Sequence, residues 1–384
     1  MTSRTAALEA YRGLPLPDTT EEHWRFTDLR DFDPDAFSGA ADGEISTMLD
    51  LDVAGHATVT ADGIEITQVP DGIRFEPLPE DFDRLYSLVG WDEKFAAHNA
   101  AMWKHGLLVV VPKGLELAKP LYVRVAVTGQ TFWRLVVVAE EGARASLIEE
   151  YASPGSRTGA YSNAVTELFV EPNAKLEYVS LQNLSTETWH FASHHARVER
   201  DGELDWVAGG FGSKRGKIRI QNDLNGPGAT SRVTGAYFAD GEQHLDYDTF
   251  QEHIAPSTES DFAFKGALRG TARAVWRGMI RVEPDAQKTN AYQENRNLLL
   301  SPDAHADSIP GLEIMANDVR CTHGATLGRI DREQLFYLMA RGLSRGEAER
   351  LIVRGFFQDV LDRIDLEPVR EALGAALEAR IPQA

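Results

Sequence analysis

The sequence predicts a mainly β protein, a parallel β-helix or related stacked-sheet solenoid set between helical ends. Three observations predict it. From Leu107 to about Ile314, runs such as LLVVVP, PLYVRVAV, WRLVVVAE, AVTELFV and KLEYVSL are short and rich in branched and aromatic residues. They are bounded by Gly, Pro, Asn or Asp, and no helix of convincing length interrupts them. A punctuation mark recurs within this zone: Glu141-Gly142-Ala143, Pro172-Asn173-Ala174, Asp201-Gly202-Glu203, Pro227-Gly228-Ala229, Pro284-Asp285-Ala286 and Pro302-Asp303-Ala304. From Gly142 to Asn173, Gly202 and Gly228 the steps are 31, 29 and 26 residues, the period of a solenoid coil. Finally, both ends of the chain change to helical spacing. A turn residue tolerant of positive φ, a small residue and then a strand is what a tight stacked corner needs. The same punctuation would also serve an antiparallel sandwich or barrel.

The elements follow in order. Thr5 to about Asp31 reads as helical, with Leu8 and Tyr11 on one face, a break at Gly13-Leu14-Pro15-Leu16-Pro17, and a second helix from Asp18 through Trp24 and Leu29. Asp33 to Glu44 is a polar connector. Asp92 to Trp103 is a helix, with Phe95, His98 or Asn99, and Met102 at helical spacing. After the strands, DREQLFYLMARGL places Leu335, Leu338 and Met339 on one face and stops at Gly342. Ser344 and Glu347 form a capping box for a long helix whose apolar stripe is Ala348, Leu351, Ile352, Gly355, Phe356, Val360 and Ile364, and Leu366 to Arg380 is a last short helix. The expected division is an N-terminal helical region with connector over 1–104, a β core over 105–325 and a C-terminal helical module over 326–384.

Composition removes several function classes. With 39 basic and 59 acidic residues the formal charge is −20 and the pI near 5.0, so the surface repels nucleic acid and anionic membranes. The lone Cys321 can form neither an internal disulfide nor a closed zinc or iron–sulfur site, which needs about four ligands. Any cluster must be shared with another chain. The start of the sequence lacks the apolar core of a secretory signal and no run spans a membrane, so the expected location is cytoplasmic. No GxxxxGK[ST], strand-linked GxGxxG, GxSxG or HExxH pattern is present, so no nucleotide is expected on this chain, and FGSKRGK from Phe211 reads as a turn.

Two constellations remain. Cys321-Thr322-His323 follows the strand LEIMANDVR, and if the strand continues, thiol and imidazole point to the same side and reach one iron or zinc ion. Alternatively, both are inert. His244, Asp246 and Asp248 share one strand face, with His253 beyond, which suits a metal or an acid/base pair, or a solvated strand face with no chemistry.

The run from Cys321 to Ile364, CTHGATLGRIDREQLFYLMARGLSRGEAERLIVRGFFQDVLDRI, resembles the SufB/SufD family of iron–sulfur cluster assembly proteins. EEHWRFTDLR, KFAAHNAAMWKHGLLVVVPKGLELAKPLYV and RNLLLSPDAHADSIPGLEI carry the same likeness over nearly the whole chain. The resemblance implies a right-handed parallel β-helix core with helical flanks. It implies a non-catalytic scaffold of the SUF complex that pairs with its sibling through the core and binds the ATPase SufC through the C-terminal helices. Leu335, Phe336, Leu338, Arg341, Gly342, Leu351, Gly355 and Phe356 are then the docking residues. SufB-type chains carry a cysteine about 28 residues upstream of the histidine; here that place falls near Asn295, and Trp24-Arg25-Phe26-Thr27 agrees with the SufD branch. By resemblance to that branch, the partners are SufB and SufC, with a SufD homodimer when isolated. His323, with Cys321 as second ligand, iron-binding group or sulfur relay, meets a transient iron–sulfur cluster or iron at the subunit interface, contributing also to iron acquisition. The other expectations are a β-helix polysaccharide enzyme using Asp246 and Asp248, and an inert structural adaptor.

Overall fold

A computed structural model of the chain describes residues 3–37, 45, 47–155 and 159–381. After helix α1 (Ser3–Gly13) come three short strands, β1 (Gly55–Val59), β2 (Ile64–Gln68) and β3 (Arg74–Pro77), then helix α2 (Lys94–Met102). The main run of strands is β4 (His105–Val111), β5 (Leu121–Ala126), β6 (Gln130–Ala139), β7 (Arg144–Ala152), β8 (Ala160–Val170), β9 (Lys175–Asn183), β10 (Thr188–Val198) and β11 (Glu203–Gly210). It continues with β12 (Arg215–Leu224), β13 (Thr230–Ala239), β14 (His244–His253), β15 (Glu259–Leu268), β16 (Arg273–Val282), β17 (Asn290–Leu299), β18 (His305–Ile314) and β19 (Arg320–Arg329). Helices α3 (Arg332–Ala340), α4 (Arg345–Leu361) and α5 (Glu367–Ala379) follow.

Successive strands alternate between two facing sheets, odd-numbered strands from β5 onward in a ten-stranded sheet and even-numbered ones in a nine-stranded sheet. From β4 onward every pairing between these strands is parallel. Each coil therefore lies in register on the last: Arg215 is paired with His244 and His244 with Arg273, 29 residues apart each time. The result is a parallel β-helix of about eight turns, and the sandwich alternative falls away. Its lumen is filled by inward side chains such as Val109, Leu135, Leu168, Trp206, Phe262 and Trp276.

Five of the six punctuation marks lie along one edge of the solenoid. Gly142, Asn173, Asp201, Gly228, Ser257 and Lys288 all have positive φ. Their N–H groups donate to the next coil: Gly142 to the Pro172 carbonyl at 2.9 Å, Asn173 to Arg200 at 3.0 Å and Asp201 to Pro227 at 3.0 Å. The residue behind the turn is buried and small, Ala143, Ala174 and Ala229 at three of them and Thr258 and Thr289 at the last two, because the corner is closely packed. Three details differ from the sequence reading. The left-handed residue in the third mark is Asp201 rather than Gly202, at the fifth it is Lys288, two residues past the mark, and Pro302-Asp303-Ala304 lies on the opposite edge, stacked with Gly270.

The N-terminal region departs further. No helix forms from Asp18 to Asp31; one 3-10 turn, Glu22–Trp24, is all that appears. The side chains of this arm bind the outer face of the nine-stranded sheet instead, with Thr27, Leu29 and Phe32 buried. Leu29 and Phe32 join Phe95, Tyr161, Trp189 and Phe191 in an aromatic cluster. A helix would present only one stripe to the sheet, whereas an irregular arm delivers more of its large side chains. Most of the expected connector lies outside the described residues; Pro34–Phe37 forms another 3-10 turn. Strands also begin before residue 105, since β1 pairs parallel with β5 and β3 antiparallel with β4, and β19 runs across residue 325.

At the other end, α4 and α5 cover the outer face of the ten-stranded sheet. Val353, Phe357, Val360, Leu361 and Ile364 pack with Leu373 and Leu377 on Val207, Ala236 and Ala263. Lys265 Nζ donates to the Phe356 carbonyl at 2.7 Å and Arg363 pairs with Asp261 at 3.1 Å. The single apolar stripe read from the sequence is therefore split. Ala348, Val360 and Ile364 face inward together with Val353 and Phe357, while Leu351 and Gly355 face solvent.

Candidate metal centre at the open end of the solenoid

Cys321 and His323 lie on β19, the terminal strand of the ten-stranded sheet, paired among the described residues with β17 alone. Cys321 is beside Ala291 and His323 beside Gln293. Both neighbours face the lumen: Ala291 packs on Ile280 and Val282, and Gln293 Nε2 reaches across to the carbonyls of Gly278 (3.2 Å) and Gly311 (3.0 Å) on the other sheet. The strand pleat therefore turns both Cys321 and His323 into the last, uncovered coil. Cys321 is half-buried and His323 exposed.

Farther along the same face, beneath Ala325 and Leu327, lies a polar network. Asn297 Nδ2 and the Ser308 hydroxyl both donate to Asn295 Oδ1, at 2.6 and 2.5 Å, and the Tyr237 hydroxyl donates to Asn297 Oδ1 at 2.6 Å. These side chains tie β17 to β18 across the lumen. Asn295 is thereby occupied within the chain. Around the mouth Leu312, Ile314, Met315 and Leu327 are exposed, Leu327 by 52%. The sequence reading missed this rim, although three of the four follow the lumen-facing alternation of their strands; what it lacked was the knowledge that the coil is the last one.

The two donors differ in character. Cys321 sits against Ile280, Val282, Ala286, Ala316 and Val319, and burial pushes its thiol pKa up, only partly offset by a hydrogen bond with the Ala291 backbone. Its thiolate is scarce until a metal or partner group arrives to stabilise it. Among the described residues no three His, Cys, Asp or Glu side chains converge as a metal cage. Cys321 and His323 are thus a thiol and an imidazole on one face of an edge strand.

Comparison with known proteins decides the family. The family model described as "SUF system FeS cluster assembly, SufBD core domain" matches residues 123–356. An iron–sulfur cluster assembly SufBD family protein of Mycobacterium bovis is 31% identical over 374 residues, covering 94% of this chain and 89% of its own length. One from Mycobacterium leprae is 31% identical over 380 residues, with 94% and 90% coverage, and one from Staphylococcus epidermidis is 30% identical over 279 residues, with 72% and 60%. The chain belongs to the SufBD family. It is thereby a component of iron–sulfur cluster assembly by the SUF system.

The C-terminal residues singled out in this SufBD chain fall into two groups. Phe336 (73% exposed), Arg341, Gly342, Leu351 and Gly355 face solvent; Arg341 lies over the Tyr337 ring at 5.1 Å. Leu335 is buried, and Leu338 and Phe356 are half-buried, Phe356 beneath the Lys265 ammonium at 4.8 Å.

The His244, Asp246, Asp248 and His253 constellation does not form an open site. All four are buried. Asp246 Oδ2 accepts from Thr27 Oγ1 (2.5 Å) and Lys217 Nζ (2.9 Å), Thr27 Oγ1 also meets His244 Nε2 at 3.2 Å, and Asp248 Oδ2 meets His23 Nδ1 at 2.6 Å. His253 lies in the lumen between Thr258 and Ser260, at 2.8 Å from each. The carboxylates anchor the N-terminal arm, so neither an exposed acid pair for a polysaccharide nor a solvated strand face is present. No helix among the described residues is long and apolar enough to cross a membrane.

Burial makes five histidines acid-sensitive. It lowers the pKa of His98, His190 and His244 to about 4 and of His194 and His253 to about 3. Unfolded, each titrates near 6.5, so below that pH the unfolded chain takes up protons that the native chain refuses. Their contribution to stability is complete above pH ~6.5 and falls as the pH drops towards the folded values. Urea midpoints are expected to decrease from pH 7 to pH 5, and His253→Gln to shed about one proton from the linkage slope. A midpoint unchanged across that interval contradicts the assignment.

Proposed function

We propose that this SufBD-family chain is the SufD-type, non-catalytic scaffold of a SufBCD complex in the cytoplasm. It lends His323, and Cys321 beside it, to a nascent iron–sulfur cluster or to iron held between subunits. The observation that carries this reading is the placing of two soft-metal donors in the uncovered last coil, on a strand whose other edge has no partner among the described residues. Strands β18 and β19 end both sheets together and offer main-chain groups and apolar side chains to a second β-helix, SufB in the complex or a second copy when the chain is isolated. The cluster is cargo. An imidazole is a weaker holder of it than a thiolate, which suits delivery. The exposed face of α3 and α4, with Phe336, Arg341 and Leu351, suits docking of SufC, and ATP-driven movement of that subunit would open the shared edge.

The test is reconstitution of the complex with His323→Ala, Cys321→Ser and the double variant. Cluster formation is followed by visible absorbance and assembly by gel filtration. We expect intact assembly, a large loss of cluster yield with His323→Ala, and a further loss in the double variant. Normal yield from the double variant would leave the inert adaptor as the only surviving reading. Its specific support is the apolar nook around Cys321.

A further inference from the structure

Between the N-terminal arm, the first turn of α2 and the outer face of the nine-stranded sheet lies a cavity of about 450 Å³, within the range of small-molecule sites. It is remote in the fold from the mouth: its strand residues come from β10, β12 and β14, whereas Cys321 and His323 are on β19. Its walls are aromatic, Trp24 meeting Phe95 at 5.0 Å between ring centroids and Phe95 meeting Phe191 at 4.3 Å. Its floor carries opposite charges. Lys217 on β12 and Asp248 on β14 line it with side chains only 10% and 7% exposed. Register pairs Lys217 with Asp246 and Arg219 with Asp248, so the ammonium and the carboxylate are diagonal neighbours on one sheet face.

Both retain hydrogen-bonding capacity. Lys217 Nζ donates to Asp246 Oδ2, and an ammonium has three protons to give. Asp248 uses Oδ2 for His23, leaving Oδ1 for another donor. Burial by itself would raise the Asp248 carboxyl, but the His23 bond and the Lys217 charge hold it below the usual carboxylate range, so it is anionic. A simple anion in this cavity would lie against the Asp248 carboxylate and a simple cation against the Lys217 ammonium, each beside a buried charge of its own sign. A ligand carrying both charges satisfies both.

We propose that this cavity binds a free α-amino acid with a bulky apolar or aromatic side chain. The carboxylate lies on Lys217 Nζ with help from the Ser193 hydroxyl, the ammonium on Asp248, and the side chain between Trp24, Phe95 and Phe191. Binding fastens the arm that closes the cavity, because Trp24 belongs to the arm and Lys217 and Asp248 to the sheet.

The experiment is calorimetric titration of the full chain with L-phenylalanine, 3-phenylpropanoate, which lacks the ammonium, and phenethylamine, which lacks the carboxylate. We expect one saturable site for L-phenylalanine and binding at least about tenfold weaker for each analogue, since a hydrogen bond to a charged group is worth ~1.5–3 kcal/mol. Asp248→Asn should weaken L-phenylalanine by a similar factor and leave 3-phenylpropanoate unchanged or tighter. Ser193→Trp, on the outer sheet face beside Arg219, should fill the cavity and abolish binding with the melting temperature retained. Absence of saturable binding by the unaltered chain, equal binding of the three compounds, or full binding by Ser193→Trp each overturns the proposal.

Discussion

Ala325→Pro is expected to leave the isolated chain folded and to abolish its association through the end of the solenoid. In a strand the N–H groups of alternate residues point to opposite edges. Arg320 donates its N–H to the Thr289 carbonyl at 2.8 Å, towards β17. By alternation, Thr322, Gly324 and Thr326 also face β17, while Cys321, His323, Ala325 and Leu327 face the free edge. Proline at 325 therefore removes a donor that no strand among the described residues uses, and its ring blocks the edge against a second strand. Because Ala325 is exposed, its replacement should move the melting temperature by no more than about 2 °C. Thr326→Pro is the counterpart: it removes a donor to β17 and should destabilise the chain by ~3 kcal/mol. Thermal melts combined with light scattering, on the chain alone and with its SUF partner, check both. A complex that survives Ala325→Pro would show that the free edge of β19 is not the interface, and the shared-ligand reading of His323 would lose its geometry.

Glu149→Ala is expected to cost at least about 5 kcal/mol, enough to unfold the central coils. The Glu149 carboxylate is buried completely in the lumen, with no cation beside it. Oε1 accepts from Trp133 Nε1 and from the Tyr151 hydroxyl (2.8 Å), and Oε2 from the Tyr178 hydroxyl and from Thr166 Oγ1 (3.3 Å). Burial pushes its pKa up, and these four donors pull the other way. Removing the carboxylate strands all four in an apolar core, each at roughly 1–3 kcal/mol, and adds a void. Glu149→Gln keeps the shape and one acceptor oxygen and should cost about half as much. Chemical denaturation measures both. If Glu149→Ala lies within about 1 kcal/mol of the unaltered chain, water must already reach this part of the lumen.

Much of this organisation was legible in the sequence because it is local. The solenoid period is written in the corners, since positive φ and a buried small side chain restrict which residues stand at Gly142, Asn173 and Gly228. The capping box of α4 was likewise visible at Ser344 and Glu347, whose reciprocal bonds are present in the fold. The N-terminal arm was misread because helical spacing and a string of anchoring side chains look alike in one dimension. Thr27 is polar and wholly buried only because Asp246 and His244, more than 200 residues away, receive it. The apolar stripe of α4 was too broad for the same reason: Leu351 and Val353 are equally apolar, and only the sheet beneath decides that Val353 is covered and Leu351 is not.

The sequence alone determined that this SufBD-family chain coils with a period near 29 residues and carries a single thiol two residues from a histidine. Tertiary structure decided where that pair lies. Side-chain alternation places Cys321 and His323 on one face of a strand wherever the strand lies, but whether that face looks into a packed coil or an open one depends on where the stack of sheets stops. It stops at β18 and β19, so the pair lies at the boundary of the molecule, while Asp246 and Asp248, alike in pattern, lie beneath an arm that a distant part of the chain lays over them.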